Sequence, residues 1–420
     1  MRSRRLVVLV LLAASLIGAL VTGRDLFYNL LYLWLALIVL AGVWTWMSLN
    51  RIRVARQTRT LRAQVGDSIE ERLAVRNQSG LPKLWLEVRD QSDLPGHHPS
   101  RVIAGLGSRQ ERVWVVRTRA WQRGRFRLGP LSISSGDPFG LFRIARRLAS
   151  TNQVVIYPAT VDLPEFPLPV GLAPGGDALR RRTHYVTPNA AGVRDYVSGD
   201  SYNRIHWRTT ARRDRLMVKE FELDPLADVW VLVDGDRAVQ AGEIGVTVGV
   251  EADELPWYQA PAPVRLPPTT EEYSVSTAAS LAQHFLRRDR AVGLVAYGET
   301  REVVQPDRGE RQLTKILETL AVFRATGRVS LRDALVLEAD QLPRGSTVML
   351  VTASGDLNWV GLAHALKRRG VSVVTFLVNP ASFGGGHDNA GLATALWGVG
   401  LPAYRVEKDM DLAASVLWRG

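Results

Sequence analysis

The densest chemistry in this chain of 420 residues lies between positions 192 and 222. Arg194, Asp195, Asp200, Arg204, Arg208 and Arg212 mix both signs of charge there, with Tyr196 and Trp207 between them. Ser198-Gly199-Asp200 is a turn signal, and Asp200 is placed to cap a helix over 201–211. On such a helix Arg204, Trp207, Arg208 and Ala211 share a face, with Trp207 turned inward and the arginines reaching the acids or an external anion. Two uses of the segment stay open: an ion-pair and cap network that welds it to a neighbouring sheet, or a recognition surface for a partner or an anionic ligand.

Other groupings are weaker. His206 stands near Asp200 and Ser198, the residue types of a nucleophilic triad, but no G-x-S-x-G elbow exposes the serine. A hydrolase using His206 and the acids is therefore the alternative reading and not the main one. His97 and His98 near Asp93 sit in a Pro/Gly loop, and adjacent histidines rarely share one ion, so a solvated loop is expected. Gly384-Gly385-Gly386-His387-Asp388 lacks the lysine of a phosphate loop and reads as a mobile loop. The chain has no cysteine, which excludes disulfides, thiolate metal sites and a cysteine nucleophile.

The elements that must position these residues fall into blocks. From 51 to 160 short alternating or apolar runs (69–75, 84–88, 111–116, 125–128, 154–157) are separated by turn residues, the pattern of a β-sandwich. Residues 161–190 carry five prolines and an arginine triplet and read as a linker; 191–225 hold the charged segment. From 226 to 420 continuous apolar runs (229–233, 292–297, 347–351, 371–378) alternate with helical stretches near 273–288, 309–323, 331–340, 358–369, 389–398 and 409–418. That order predicts an α/β doubly wound parallel sheet with helices on both faces, interrupted by an irregular insertion over 241–268.

Residues 1–50 predict a transmembrane helical hairpin. The runs 6–21 and 26–49 are apolar, and a helix needs about 20 such residues to cross about 30 Å of hydrocarbon. Arg2, Arg4 and Arg5 precede the first span and Arg51, Arg53, Arg56 and Arg59 follow the second, while the connecting loop holds only Arg24 beside Asp25. Lysine and arginine mark the cytoplasmic side, so both ends and everything after residue 50 are expected in the cytoplasm. The net charge of +12 rests partly on these flanks and on the arginine runs 143–147 and 180–182. A basic surface beside an anionic leaflet follows from electrostatics alone. No helix-turn-helix, zinc or RNA-binding signature stands beside it, so no specific nucleic acid is expected, and an anionic lipid or nucleic-acid binder is a further alternative.

The stretch Arg194-Asp195-Tyr196-Val197-Ser198-Gly199-Asp200, followed by Arg204-Ile205-His206-Trp207, Ala211-Arg212 and Val218-Lys219-Glu220-Phe221-Glu222, resembles the signature of the bacterial domain-of-unknown-function 58 family (DUF58). Arg123-Gly124-Arg125-Phe126-Arg127-Leu128-Gly129-Pro130 and Asp137-Pro138-Phe139-Gly140-Leu141-Phe142 resemble the family's segment ahead of it. The resemblance implies a sandwich beside the bacterial inner membrane, a C-terminal von Willebrand factor A-like domain and association with MoxR-type AAA+ ATPases. It implies no enzymatic activity. In the von Willebrand A fold a first strand ending D-x-S-x-S, with a threonine and an aspartate from later loops, holds magnesium through hard oxygens. Here that strand ends Asp234-Gly235-Asp236-Arg237-Ala238, Ser330 stands near the threonine position, and Thr352-Ala353-Ser354-Gly355-Asp356 has alanine where an acid is expected. The expectation is a degenerate site over Asp234, Asp236 and Ser330, and no cofactor.

The reading is a membrane-anchored adaptor in the cytoplasm that partners a MoxR-type ATPase in assembly or maturation of envelope complexes. Its binding residues are Arg194, Tyr196, Gly199, Asp200, Arg204, Ile205, Trp207 and Arg212.

Overall fold

The computed structural model describes residues 2–163, 190–197, 205–221, 228–242 and 266–409. They form two compact units, Met1–Ala159 with Gly245–Pro267, and Thr160–Ile244 with Pro268–Gly420. The 164–189 stretch of the expected linker, the 243–265 stretch of the insertion and the helix expected over 409–418, after residue 409, lie outside the described residues.

The first unit opens with α1 (Arg2–Thr22) and α2 (Asp25–Ser48), joined through Gly23 at φ 64°. At about 1.5 Å rise per residue both are long enough, and both apolar enough, to cross a membrane. Ser15 Oγ donates to Leu11 O and Thr45 Oγ1 to Ala41 O, both at 2.8 Å, so these hydroxyls bond back to their own helices. Gly18 lets the helices close: a Cβ there would lie 2.5 Å from the Phe27 ring.

A sheet-rich region follows: β1 (Ile52–Thr58), β2 (Arg62–Gln64), β3 (Ser68–Asn77), β4 (Lys83–Asp90), β5 (Arg101–Leu106), β6 (Glu111–Arg119), β7 (Gly124–Leu128), β8 (Leu131–Gly136), β9 (Arg143–Leu148) and β10 (Asn152–Tyr157). They pair in the orders β1-β3-β6, β5-β4-β8-β9 and β2-β10-β7, antiparallel except for β2 with β10. Leu73, Val75 and Trp114 from the first sheet share one apolar core with Leu86, Val88, Leu131 and Ile133 from the second. The arginine run 143–147 is the edge strand β9, where exposed charge blocks further pairing.

The period of two in β3 turns Ile69, Glu71, Leu73 and Val75 inward, so one carboxylate is carried into the interior. Arg56 meets it with Nε 2.5 Å from Oε1 and Nη2 2.9 Å from Oε2, and reaches Asp90 at 3.0 Å. His97 corrects the sequence reading. Only 7% exposed, it is no part of a solvated loop: Nε2 lies 3.1 Å from Glu71 and Nδ1 2.8 Å from Thr118. Gly96 in the turn before it has φ 73°, and the ring lies against side chains of the paired strands β3 and β6.

The second unit holds an antiparallel pair, β11 (Ala190–Asp195) and β12 (Met217–Phe221), with α3 (Trp207–Arg213) between them in sequence. Next come β13 (Val229–Asp234), α4 (Thr270–Leu286), β14 (Val292–Tyr297), β15 (Arg301–Asp307), α5 (Glu310–Val322) and α6 (Leu331–Glu338). β16 (Thr347–Thr352), α7 (Val360–Arg368), β17 (Ser372–Val378), α8 (Ala390–Gly398) and β18 (Ala403–Val406) complete it. The sheet order is β15-β14-β13-β16-β17-β18. It is mixed and not purely parallel, because the short turn after Tyr297 leaves no room for a crossover and β15 returns antiparallel to β14. β13, β14 and β16 are buried at every residue, which is what strands covered on both faces require. Leu335 of α6, Leu366 of α7 and Leu396 of α8 pack into one core with Leu232 and Leu350 of the sheet.

Candidate functional site

In an open α/β sheet, ligands bind beyond the carboxyl ends of the strands, where the winding direction reverses. That point lies between β13 and β16, which pair in parallel while their crossovers lead to opposite edges. Asp234 ends one strand and Thr352 the other. Thr352 Oγ1 donates to Asp234 Oδ2 at 2.6 Å, and Asp236 N donates to Asp234 Oδ1 at 3.0 Å. Asp234 is only 2% exposed. Burial pushes its pKa from 3.8 up to about 6; the Thr352 hydroxyl and the Asp236 N–H oppose the rise, and the Asp236 charge adds to it.

The floor of this edge is built from glycine. A Cβ on Gly235 would stand 2.0 Å from Tyr297 O, one on Gly298 2.7 Å from Arg324 O, and one on Gly327 2.6 Å from Gly298 O. The loops are stitched by Gly327 N to Gly235 O and Arg237 N to Gly327 O, both 2.9 Å. Tyr297 anchors the rim from beneath, its hydroxyl donating to Glu338 Oε1 at 2.6 Å, and burial with that carboxylate pushes its pKa up to about 12. In the glycine run 384–386, Gly384 and Gly386 are exposed, and Gly385 is tied by its N–H to Pro380 O at 2.8 Å.

Of the three metal candidates, Asp234 and Asp236 meet at this edge and Ser330 is committed elsewhere. Ser330 caps α6, accepting from Asp333 N at 3.2 Å and donating to Asp333 Oδ2 at 2.7 Å. Asp236 caps the short 3-10 turn Arg237–Val239 through Ala238 N. A divalent ion here would draw on Asp234, Thr352 and Asp236, with water filling its remaining positions. Among the described residues no three His, Cys, Asp or Glu side chains converge as a metal group. Thr352 is the partner that sequence reasoning missed. Its signal was a hydroxyl at the carboxyl end of an apolar strand beside the switch point.

One consequence is measurable. A raised carboxyl contributes stability in full below its unfolded value near 3.8 and loses it as pH rises through about 6. Asp234→Asn is expected to remove that loss and stabilise the α/β unit at neutral pH by on the order of 3 kcal/mol. Thermal unfolding across pH reads it, and an unchanged pH profile in the variant would refute the assignment.

The charged segment is arranged differently from expectation. Arg194 lies on β11 opposite Val218, Tyr196 N bonds Leu216 O at 2.9 Å, and Ile205 is buried in a bridge to Val218. Gly199, Asp200 and Arg204 lie outside the described residues. The helix begins at Trp207 and not at 201, and its cap is His206, whose Nδ1 accepts from Thr209 N at 3.1 Å. That bond occupies the nitrogen a triad would need. Trp207 does not turn inward: it is 66% exposed, with Arg208 and Arg212 exposed on the same short helix. Ile205, Met217 and Val218 take the buried positions instead.

Residues 192–246, from β11 through the Asp234 turn, match the family model described as "Protein of unknown function DUF58". The "Uncharacterized protein YeaD" of Bacillus subtilis (strain 168) is 22% identical over 331 residues, spanning 76% of this chain and 74% of that protein. Among solved structures, the conserved hypothetical protein BatB from Bacteroides thetaiotaomicron is 13% identical, covers 44% of this chain and 91% of its own, and superposes with a TM-score of 0.31. The CARDB domain of the PF1109 protein from Pyrococcus furiosus is 15% identical over 25% of this chain and 86% of its own, with a TM-score of 0.19. By the 192–246 match and the relative in B. subtilis, the chain is similar to the DUF58 family.

Proposed function

We propose that the chain is a membrane-anchored adaptor whose C-terminal unit, of von Willebrand A-like type, presents the α3 surface to a cytoplasmic protein partner, a MoxR-type AAA+ ATPase, in assembly or maturation of envelope complexes. The observation that carries this is Trp207, 66% exposed on α3 between arginines in the segment that matches the family. Trp and Arg dominate the residues that anchor protein interfaces, whereas a Trp serving only to weld the segment to its sheet would be buried. Arg208, Arg212 and Arg213 around it suit an acidic partner surface. The strand order, with β13 central and β15 reversed at one edge, supports the von Willebrand A-like reading, and the shared core of the first two sheets supports a sandwich. We read the Asp234 edge as metal-free, because its oxygens already bond one another. Arginine flanks at both ends of the α1–α2 pair support two spans with both ends cytoplasmic.

The test is direct binding of the purified full-length chain, in detergent, to the MoxR-type ATPase of the same organism. Trp207→Ala is expected to weaken binding by about 2 kcal/mol or more, roughly 30-fold, with unchanged thermal unfolding. Equal affinity in the variant would remove α3 as the contact. No binding by the intact chain would remove the adaptor reading itself.

A further inference from the structure

We propose that the 137–142 turn is an interfacial anchor, setting Phe139 at the headgroup level of the bilayer beside Arg4 and Arg5, where it takes anionic lipid headgroups. The inference rests on the reading of α1 and α2 as membrane spans.

The depth of the turn follows from what it touches. Arg5 is the last charge before the apolar run 6–21 begins, so it marks the polar boundary of α1. Its Nε donates to Leu141 O, and its guanidinium lies over the Phe142 ring, 5.5 Å from the centroid. Arg4 packs on Gly140, its Nη1 2.9 Å from where a Cβ would stand, and Gly140 has φ 74°. Any side chain there would be strained by the positive φ, and the bare glycine leaves room for the arginine to lie against the turn. A second tie fixes the same level on the other helix: Lys83 Nζ donates to Met47 O at 2.6 Å in the last turn of α2, beside the exposed Trp46. Interfacial tryptophans mark the headgroup zone.

The turn is held rigid from within. Asp137 is buried and accepts from Phe139 N at 2.9 Å, Leu141 N at 3.1 Å and Phe142 N at 2.5 Å. Its carboxylate oxygens are turned to the N–H groups of its own turn. The Phe139 ring stands outside this knot; the residue is 51% exposed and has no place in either core of the unit. An exposed aromatic ring fixed at a membrane boundary and flanked by guanidinium groups is matched by an acyl-headgroup boundary carrying phosphodiesters.

The absence of cysteine allows a single nitroxide label. Full-length Pro138→Cys, keeping Phe139, would be reconstituted in phosphatidylcholine vesicles and in equal parts of phosphatidylcholine and phosphatidylglycerol. Collisions with oxygen and with a water-soluble nickel chelate report depth. Val39→Cys in α2 and Val336→Cys on α6 are the hydrocarbon and water references, both at exposed positions. The expected result is a label at 138 protected from nickel relative to 336, more deeply so with phosphatidylglycerol. Adding Phe139→Ser should lose the protection, and Arg4→Gln should lose the phosphatidylglycerol dependence. A wet label at 138 with 39 in hydrocarbon overturns the anchor, and equal depth in both vesicles overturns the anionic headgroup. A wet label at 39 overturns the membrane spans instead.

Discussion

Replacing Arg56 by alanine is expected to cost the sheet-rich unit about 3–5 kcal/mol of unfolding free energy, read as a lower denaturant midpoint at neutral pH. The side chains of Arg56 and Glu71 are 0% exposed and that of Asp90 2%. Removing the guanidinium leaves two buried carboxylates held by His97, the Thr58 hydroxyl and Ser92 N–H, without the charge that balanced them. The same group predicts an acid limb. Burial by itself would raise the Glu71 pKa, but hydrogen bonds from His97 and Arg56 and their charge overcome it and hold the group at about 2, below its ordinary 4.5. A lowered carboxyl contributes stability above its unfolded value and loses it as pH falls. The wild-type unit should therefore shed on the order of 3 kcal/mol between pH 4.5 and about 2. A midpoint unchanged in Arg56→Ala would show that this network carries no net stability.

The second large effect belongs to Gly235→Ala. The added methyl would sit 2.0 Å from Tyr297 O and 2.7 Å from Phe323 Cζ. Tyr297 O ends a central strand pinned from its side chain by Glu338, so the backbone cannot yield cheaply. A loss of about 3 kcal/mol or more is expected, at the upper end of overpacking costs. Gly361→Ala is the control. Nothing lies within 4 Å of its new methyl, and in the first turn of α7 it should gain up to about 0.5 kcal/mol. Thermal unfolding of the two variants, moving in opposite directions, checks the glycine floor. Melting of Gly235→Ala at the parent temperature would refute it.

The α/β unit was the more legible of the two. Apolar runs mark β13, β14, β16 and β17 because buried parallel strands must be apolar throughout. β15 was missed: its sequence, Arg301-Glu302-Val303-Val304-Gln305-Pro306-Asp307, is that of a polar edge with a proline. In the first unit β1, β8 and β9 were missed because arginine or serine interrupts the alternation, β2 because it has only three residues, and β5 because its apolar run is short and broken by Gly105. His97 was misplaced because its partners are 26 and 21 residues distant, and no local pattern encodes such a meeting. Trp207 was turned the wrong way by treating a large apolar residue as core; the observed helix has seven residues, and its neighbours Ile205 and Met217 fill the inward positions. Asp234 was legible as the end of a strand, whereas its closure by Thr352 depends on which strand lies beside it.

That closure joins residues 118 apart in sequence. β13 emerges just past the middle of the chain, yet its neighbour β16 is not made until five further helices and strands have followed it. At about 5–20 residues per second, one edge of a wholly apolar strand waits on the order of ten seconds for its partner. The central strand is thus the part of the nascent chain most exposed to mispairing. The variants that slow closure of this edge are expected to aggregate during synthesis before they lose stability once folded.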